Sequence, residues 1–417
     1  MNKRFVSILI ILSAATLLCW LWITLASAQT YIQSVEIEYR DGTRFSTTQP
    51  AWLVKSISSD GIGDTRTYPA AAPATRPVYA KSWTVGVGKQ LRMDDVPAKI
   101  ADNTCFIFSR GENFPQTQNL TTNGKTNVGF YAAAGEGNKP SIVWRRNNDG
   151  SMWVIGGKKM VVEGLRFENG TAWKAVEALD LRADGIEIRN VDPHDSLHTF
   201  MHYWSARNVV VDGCGLSKAK PSFYWAYSGL KPGATEFSDH VLVKNSYMTA
   251  GVHVQRWQAI NNLTVRDSVV RGWDAVSTAV ASKDGTNHLY ENLDIEGAIV
   301  VGPLNKDDGK PEEILHNVAP VFRNCKIKLG NKGSPNNVFA VCEGVQNLLV
   351  TGCIISSPTS WVFGIEFDTS KPGYALRGRA TGVIRGNRIT GPAGVKVVKG
   401  GDGLVTASDN IVSGVPQ

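Results

Sequence analysis

Between Phe200 and Asp368 the chain sets charged and aromatic side chains into short apolar runs. His202 stands in FMHYWSAR, His253 and Arg256 in VHVQRWQAIN, Lys283 and Asp284 in AVASKDGT, Glu343 in FAVCEGVQ, and Glu366 and Asp368 in VFGIEFD. Aligned on one another, these segments place His202, Arg256, Lys283, Asp284, Glu343, Glu366 and Asp368 in one column of successive strands, about 4.8 Å apart. Such a set suits an elimination beside a carboxylate. Arg256 would bind the acid through two parallel hydrogen bonds. Lys283, its pKa lowered by the neighbouring cation, would take the proton, and His202 or His253 would return one to the leaving oxygen. The carboxylates allow a different chemistry, because Asp284, Glu343, Glu366 and Asp368 on adjacent strands would supply the acid and base of an inverting hydrolysis. Tyr203, Trp204, Trp225, Trp257 and Trp273 share this stretch with Tyr224 and offer rigid faces for sugar rings. Against these stand two plainer readings: solvation for the charges, and interior packing for some of the rings.

A metal reading competes nearby. His194, His198 and His202 are three of the seven histidines within nine residues. A spacing of four aligns ligands on a helix, but His198 to His202 enters a strand, where side chains alternate. The pair Asp307-Asp308 in the loop KDDGKPEE is read as solvated. No cysteine spacing fits a zinc site.

The elements that must position these residues are announced by a repeat. Ten near-copies of the phrase apolar-x-apolar-x-Asn/Gly-x-x-apolar begin at Val161, Gly185, Asn208, His240, Asn262, His288, Pro320, Asn347, Gly382 and Leu404. Their starts lie about 22 to 35 residues apart, the period of stacked supersecondary units. One unit cannot bury its own apolar face, so the stack forms the core. Apolar residues alternate over four or five positions and Asn, Asp or Gly closes each run, which is a strand signal without helical period. Three short strands per unit close one turn of a right-handed parallel β-helix, so the expected class is all-β with an N-terminal cap. The recurring Asn tolerates the left-handed backbone of a sharp corner. Cys214, Cys325 and Cys353 hold one repeat position and read as small apolar filler in a ladder.

The boundaries follow. Residues 1–28 carry Lys3 and Arg4, an apolar stretch and Ala26-Ser27-Ala28, the layout of a secretory signal with its cleavage site. About twenty apolar residues can also span a bilayer as an uncleaved anchor, and the Ala-x-Ala ending favours cleavage. The expected location is outside the cytoplasm, secreted, periplasmic or at the cell surface, with no membrane contact after cleavage. Residues 29–79 form an extension and cap, with Val35 to Tyr39 and Ala51 to Lys55 as a first strand pair, and residues 80–417 form the coil. The whole chain has 44 basic and 37 acidic residues. A surplus this mild suits an acidic polymer or plain solubility, and the absence of a basic block argues against nucleic acid.

Upstream of the repeat, NTCFIFSRGENF from Asn103 and VGFYAAAGEGNKPSIVW from Val128 carry Arg110-Gly111-Glu112 and Gly135-Glu136-Gly137-Asn138-Lys139-Pro140. With the repeats, of the type called PbH1, this pattern resembles secreted bacterial parallel β-helix proteins of the pectate-lyase-like superfamily. The resemblance covers about four fifths of the chain. It implies a polysaccharide partner, a Lys or Arg base for lyases of this fold, and a calcium ion held by acidic residues, with no other cofactor. The Trp-Ile-Asp-His and Arg-x-Pro-x-x-Arg signatures of the pectate lyases proper are absent. The expectation is a secreted enzyme that cleaves a uronate-containing polysaccharide by β-elimination. A glycoside hydrolase on the same face and a non-catalytic binding or adhesive protein are the alternatives.

Overall fold

A strand closed by Asn or Gly must turn where its backbone enters the left-handed region, and the repeat supplies those residues at two corners of each rung. At the first strand of the rung the corner residues include Asn208 (φ 52°), Asn262 (φ 50°), Asn287 (φ 57°) and Asn347 (φ 57°). After that strand they include Asn190, Asn245, Asp267, Asn292 and Asn324, with φ between 49° and 54°. The side chains then bond from rung to rung: Asn262 donates to Asp239 (2.8 Å) and Asn287 donates to Asn262 (3.0 Å). At the other corner, Asn245 donates to Asp212 and Asn292 to Asp267.

The computed structural model describes residues 76–415 except 172–174, 195, 230–235, 273–277, 303–316, 330–336, 366–377 and 401–403. It also describes two strands nearer the N-terminus. Those two, Ser34–Glu38 and Arg44–Thr48, belong to a separate unit and pair antiparallel, Ser34 opposite Thr48. The first of these strands overlaps the one expected at Val35 to Tyr39, and its partner here is Arg44–Thr48. Ala51 to Lys55 and residues 1–28 lie outside the described residues.

From Lys81–Val85 to Ile411–Val415 the larger unit is a parallel β-solenoid with three sheets. One long sheet runs from Lys81–Val85 to Val405–Ser408, and the first half of every repeat phrase lies in it. A second sheet has eleven strands, from Leu120–Thr121 to Lys396–Lys399. The third is split into four and seven strands. Its break falls after Arg207–Asp212, where no strand of the third sheet follows before Tyr224–Ser228. The second sheet is built from the segments between the phrases.

The coil is filled by rings in column. Phe106 stacks on Phe130 (5.4 Å), Trp153 meets Phe130 and Phe167 (4.7 and 4.9 Å), and Phe339 stacks on Phe363 (4.4 Å). Two of the buried indoles keep a hydrogen-bond partner: Trp153 Nε1 donates to Gln116 (2.8 Å) and Trp257 Nε1 to Gln255 (2.7 Å), while Trp144 and Trp225 Nε1 have none. Cys214, Cys325 and Cys353 are buried as free thiols, and burial pushes the Cys214 thiol up to about 12. A cap was expected before the first rung. Residues 49–75, in the region where it was expected, lie outside the described residues; a short helical segment, Met93–Asp95 and Val96–Lys99, follows the first strand and delivers Leu91, Met93 and Val96 to the core. Among the described residues no helix is long and apolar enough to cross a membrane.

Candidate functional site

Five neighbouring strands of the second sheet carry a polar, ring-rich outer face: Val176–Leu181, Thr199–Tyr203, Tyr224–Ser228, His253–Trp257 and Thr278–Ser282. Strict alternation does not describe them. Ala178, Phe200, Trp225 and Val254 drop out of the pairing and are 0% exposed. The strands therefore bend there, and residues three apart share the outer face. One column reads Ser151, Glu177, Thr199, Tyr224, His253 and Thr278. A second reads Asp180, His202, Tyr227, Arg256 and Ala281 and continues through Val300, Ala340 and Gly364. Backbone bonds from Trp204 to Leu181 and from Lys283 to Trp257 set a third, in which Trp204, Gln258 and Lys283 lie on successive parts of the same edge.

The acidic end of this face is internally paired. His202 Nδ1 lies 2.8 Å from Glu177, and the Ser151 hydroxyl donates to Glu177 (3.0 Å) and Asp180 (3.3 Å). Burial pushes the Glu177 carboxyl up, but hydrogen bonds from His202 and Ser151 outweigh it and hold it below the usual carboxylate value. Asp180 receives Arg182 through two bonds, 2.9 and 2.5 Å, which raise the Arg182 pKa. The His202 ring is wedged between Trp204 (4.1 Å) and Tyr227 (4.6 Å), and its Nε2 is buried without a partner.

The cationic end is different. Arg256 is half-buried, its guanidinium 6.0 Å from the Tyr227 ring centroid, and its Nε has no hydrogen-bond partner. Among the described residues no carboxylate pairs with it. Gln258 Nε2 donates to the Tyr227 hydroxyl (2.7 Å), which leaves the phenol's own proton to donate elsewhere. Room at that hydroxyl is kept by Gly229, where an added Cβ would come within 3.2 Å of it. Burial raises the Tyr227 pKa. His253 stacks on Tyr224 (5.6 Å), and its pKa is lowered by burial and then by the charges of Arg256 and Lys283.

The structure brings together His202, His253, Arg256, Lys283 and Trp204, with one correction of order. Tyr224–Ser228 intervenes between the strands of His202 and Arg256, and Lys283 aligns with Gln258 and not with Arg256. Tyr203, Trp225 and Trp257 are each 0% exposed. They fill the coil, with Tyr203 against Trp257 (5.3 Å) and Trp225 against Phe200 (5.4 Å), so they present no ring to a ligand. Asp284 and Glu343 are 1% and 0% exposed and lie in turns beyond the sheet, with the strand Ala298–Val301 between their rungs. That burial removes them from the solvent face as expected sugar contacts or hydrolytic acids. Trp273, Glu366, Asp368, Asp307 and Asp308 lie outside the described residues. Glu177, Asp180, Tyr227 and Gln258 were missed. The phrase at His240 was the available signal, since one second-sheet strand precedes each phrase and Tyr224–Ser228 precedes this one.

A calcium ion has no fitting set here: among the described residues no group of three or more His, Cys, Asp or Glu is placed to hold a metal ion. Glu177 and Asp180 already serve His202 and Arg182. His198 does not converge with His202 but stacks on Phe223 (4.5 Å).

No protein-family model matches the sequence, and no curated protein matches it. Among solved structures, the chain is similar to a GH136 lacto-N-biosidase from Eubacterium ramulus, with a TM-score of 0.45 and 11% identity over 80% of this chain and 68% of that one. It is similar to an alginate lyase from Paenibacillus sp. str. FPU-7, with a TM-score of 0.44 and 11% identity over 78% of this chain and 99% of that one. The catalytic domain of a GH87 alpha-1,3-glucanase gives a TM-score of 0.43 and 12% identity over 82% and 71%. What those proteins act on belongs to them, and the chemistry of this chain rests on its own residues.

Proposed function

We propose that this chain is an exported enzyme that cleaves a uronate-containing polysaccharide by β-elimination on the outer face of the second sheet. The observation that carries this is Arg256, a half-buried guanidinium with no carboxylate partner among the described residues, set beside a histidine biased toward its neutral form and a phenol that keeps its proton. A free guanidinium in that setting is a site for a planar carboxylate. Binding the uronate there acidifies the carbon-bound proton next to the carboxylate. His253, held toward its neutral form, takes that proton through Nε2, since its Nδ1 is buried. The released electron pair forms the carbon–carbon double bond, the glycosidic carbon–oxygen bond breaks, and the Tyr227 hydroxyl protonates the departing oxygen. Lys283, read from the sequence as the base, serves here as a second cation for the negative charge that develops on the carboxylate. A hydrolytic mechanism finds less support, because Glu177 and Asp180 are engaged by His202 and Arg182.

The test is a panel of polyuronates, mixed acidic polymers and neutral glycans. Ultraviolet absorbance from an unsaturated uronate is the expected product signal. New reducing ends without that absorbance would mean hydrolysis, and no product would leave binding alone. Arg256→Ala is expected to lower kcat/KM by about 10²–10³-fold, the scale for losing one charge-stabilising donor. Export is tested by sequencing the N-terminus of the protein recovered outside the cytoplasm, with Gln29 expected first and Met1 overturning the cleaved leader.

A further inference from the structure

Along the strands from Arg256 the face changes character. His253 and Arg256 lie three positions apart, roughly 10 Å of strand, and beyond His253 lies a group of rings. Phe223 is 41% exposed, and its ring packs on His198 (4.5 Å, 25° between planes). Tyr224 lies 6.0 Å from Phe223 and 6.1 Å from His198, and it stacks on His253 (5.6 Å, 12°). No apolar element among the described residues covers Phe223.

The charges acting on the His198 end of this platform differ from those around Arg256. Burial lowers the His198 pKa most. Of the charged groups acting on it, Glu177 and Asp149 are acids and His202 is the one base. His202 is itself bonded to Glu177, whose pKa is held low. A carboxylate placed over His198 and Phe223 would meet these acids, while Arg256 and Lys283 act on the far end of the platform, at His253. An uncharged pyranose would meet only flat ring faces, which bind the apolar side of a sugar at low entropic cost.

We infer that Phe223, His198 and Tyr224 form a subsite for a neutral sugar next to the carboxylate site at Arg256, so that the substrate is a mixed polymer in which an uncharged sugar neighbours each reacting uronate. This rests on the proposed elimination at Arg256 and narrows its substrate. It also sets the direction of the bound chain, which runs along the strands between the two sites and not from rung to rung.

Two measurements separate the platform from the chemistry. The first is the rate of unsaturated product formation on homopolyuronates and on polymers alternating uronate with neutral sugar. The second is calorimetric binding of neutral gluco-, manno- and galacto-oligosaccharides to the full chain, wild type against Phe223→Ala and Phe223→Trp. Expected are faster elimination on the alternating polymers and a KM raised about tenfold in Phe223→Ala. Neutral-oligosaccharide binding should be lost in Phe223→Ala and restored in Phe223→Trp. Faster cleavage of homopolyuronates by the wild type, or equal KM and equal oligosaccharide binding in wild type and Phe223→Ala, overturns the neutral subsite and leaves the elimination standing. If no substrate yields unsaturated product, the elimination fails by itself and the binding series decides the platform.

Discussion

At the scale of single residues, the site depends on which groups hold protons near neutral pH. His253 loses affinity for its proton through burial and through Arg256 and Lys283, so its pKa lies below the usual value near 6.5. A base must be unprotonated. Activity is therefore lost only as pH falls through that lowered pKa, and the acid limb of kcat/KM lies below about 6.5. Tyr227, the proposed acid, is shifted the other way, so its alkaline limb is expected above the ordinary tyrosine value of about 10. The expected profile is flat between those limits. It is checked by kcat/KM against pH together with NMR titration of the His253 ring. An acid limb above 6.5 that follows no shift in that titration would remove His253 from the role of base. The sequence pointed to Arg256, His202, His253 and Lys283 because charged side chains stand out in apolar runs. It did not point to Tyr227, since a tyrosine in YWAYS looks the same whether it faces inward or outward.

At the scale of the element, the corner residues are the most legible feature of the chain. Asn262 holds φ at 50°, donates to Asp239 and accepts from Asn287. Alanine there loses both bonds and strains the left-handed backbone, whereas glycine loses the bonds only. Asn262→Ala is expected to cost about 1–2 kcal/mol and Asn262→Gly less than about 1 kcal/mol, measured by chemical denaturation. Equal losses in the two variants would show that the backbone conformation at this corner is not what selects asparagine. The strands of the second sheet were less legible. Their bends at Ala178, Phe200, Trp225 and Val254 break the two-residue period, and alternation alone assigns His202 the same face as Phe200, which is fully buried.

At the scale of the molecule, each rung contacts its neighbours and little else, so function is placed by where the stack departs from its own repeat. The second sheet is that place. Its inner side continues the ring columns of the core, from Trp153 to Tyr203 and Trp257. Its outer side grades from the paired acids Glu177 and Asp180 through Tyr224 and Tyr227 to Arg256 and Lys283. Further along, the column falls to Ala281, Val300, Ala340 and Gly364, small or apolar residues without chemistry of their own.

The repeat by itself determined that this chain is a stacked parallel coil, because Asn and Gly corners and alternating apolar residues can close only that way at this period. It also pointed to the segments between the repeat phrases and to five residues that meet there, His202, His253, Arg256, Lys283 and Trp204. Only the tertiary structure decided which side chains reach solvent. Tyr203, Trp225 and Trp257 went inside and Tyr227 outside because facing depends on pairing with the strands above and below, and one bend per strand shifts that pairing. The rung of Tyr224–Ser228 had the same effect on order, since it separates His202 from Arg256 and sets a tyrosine between them.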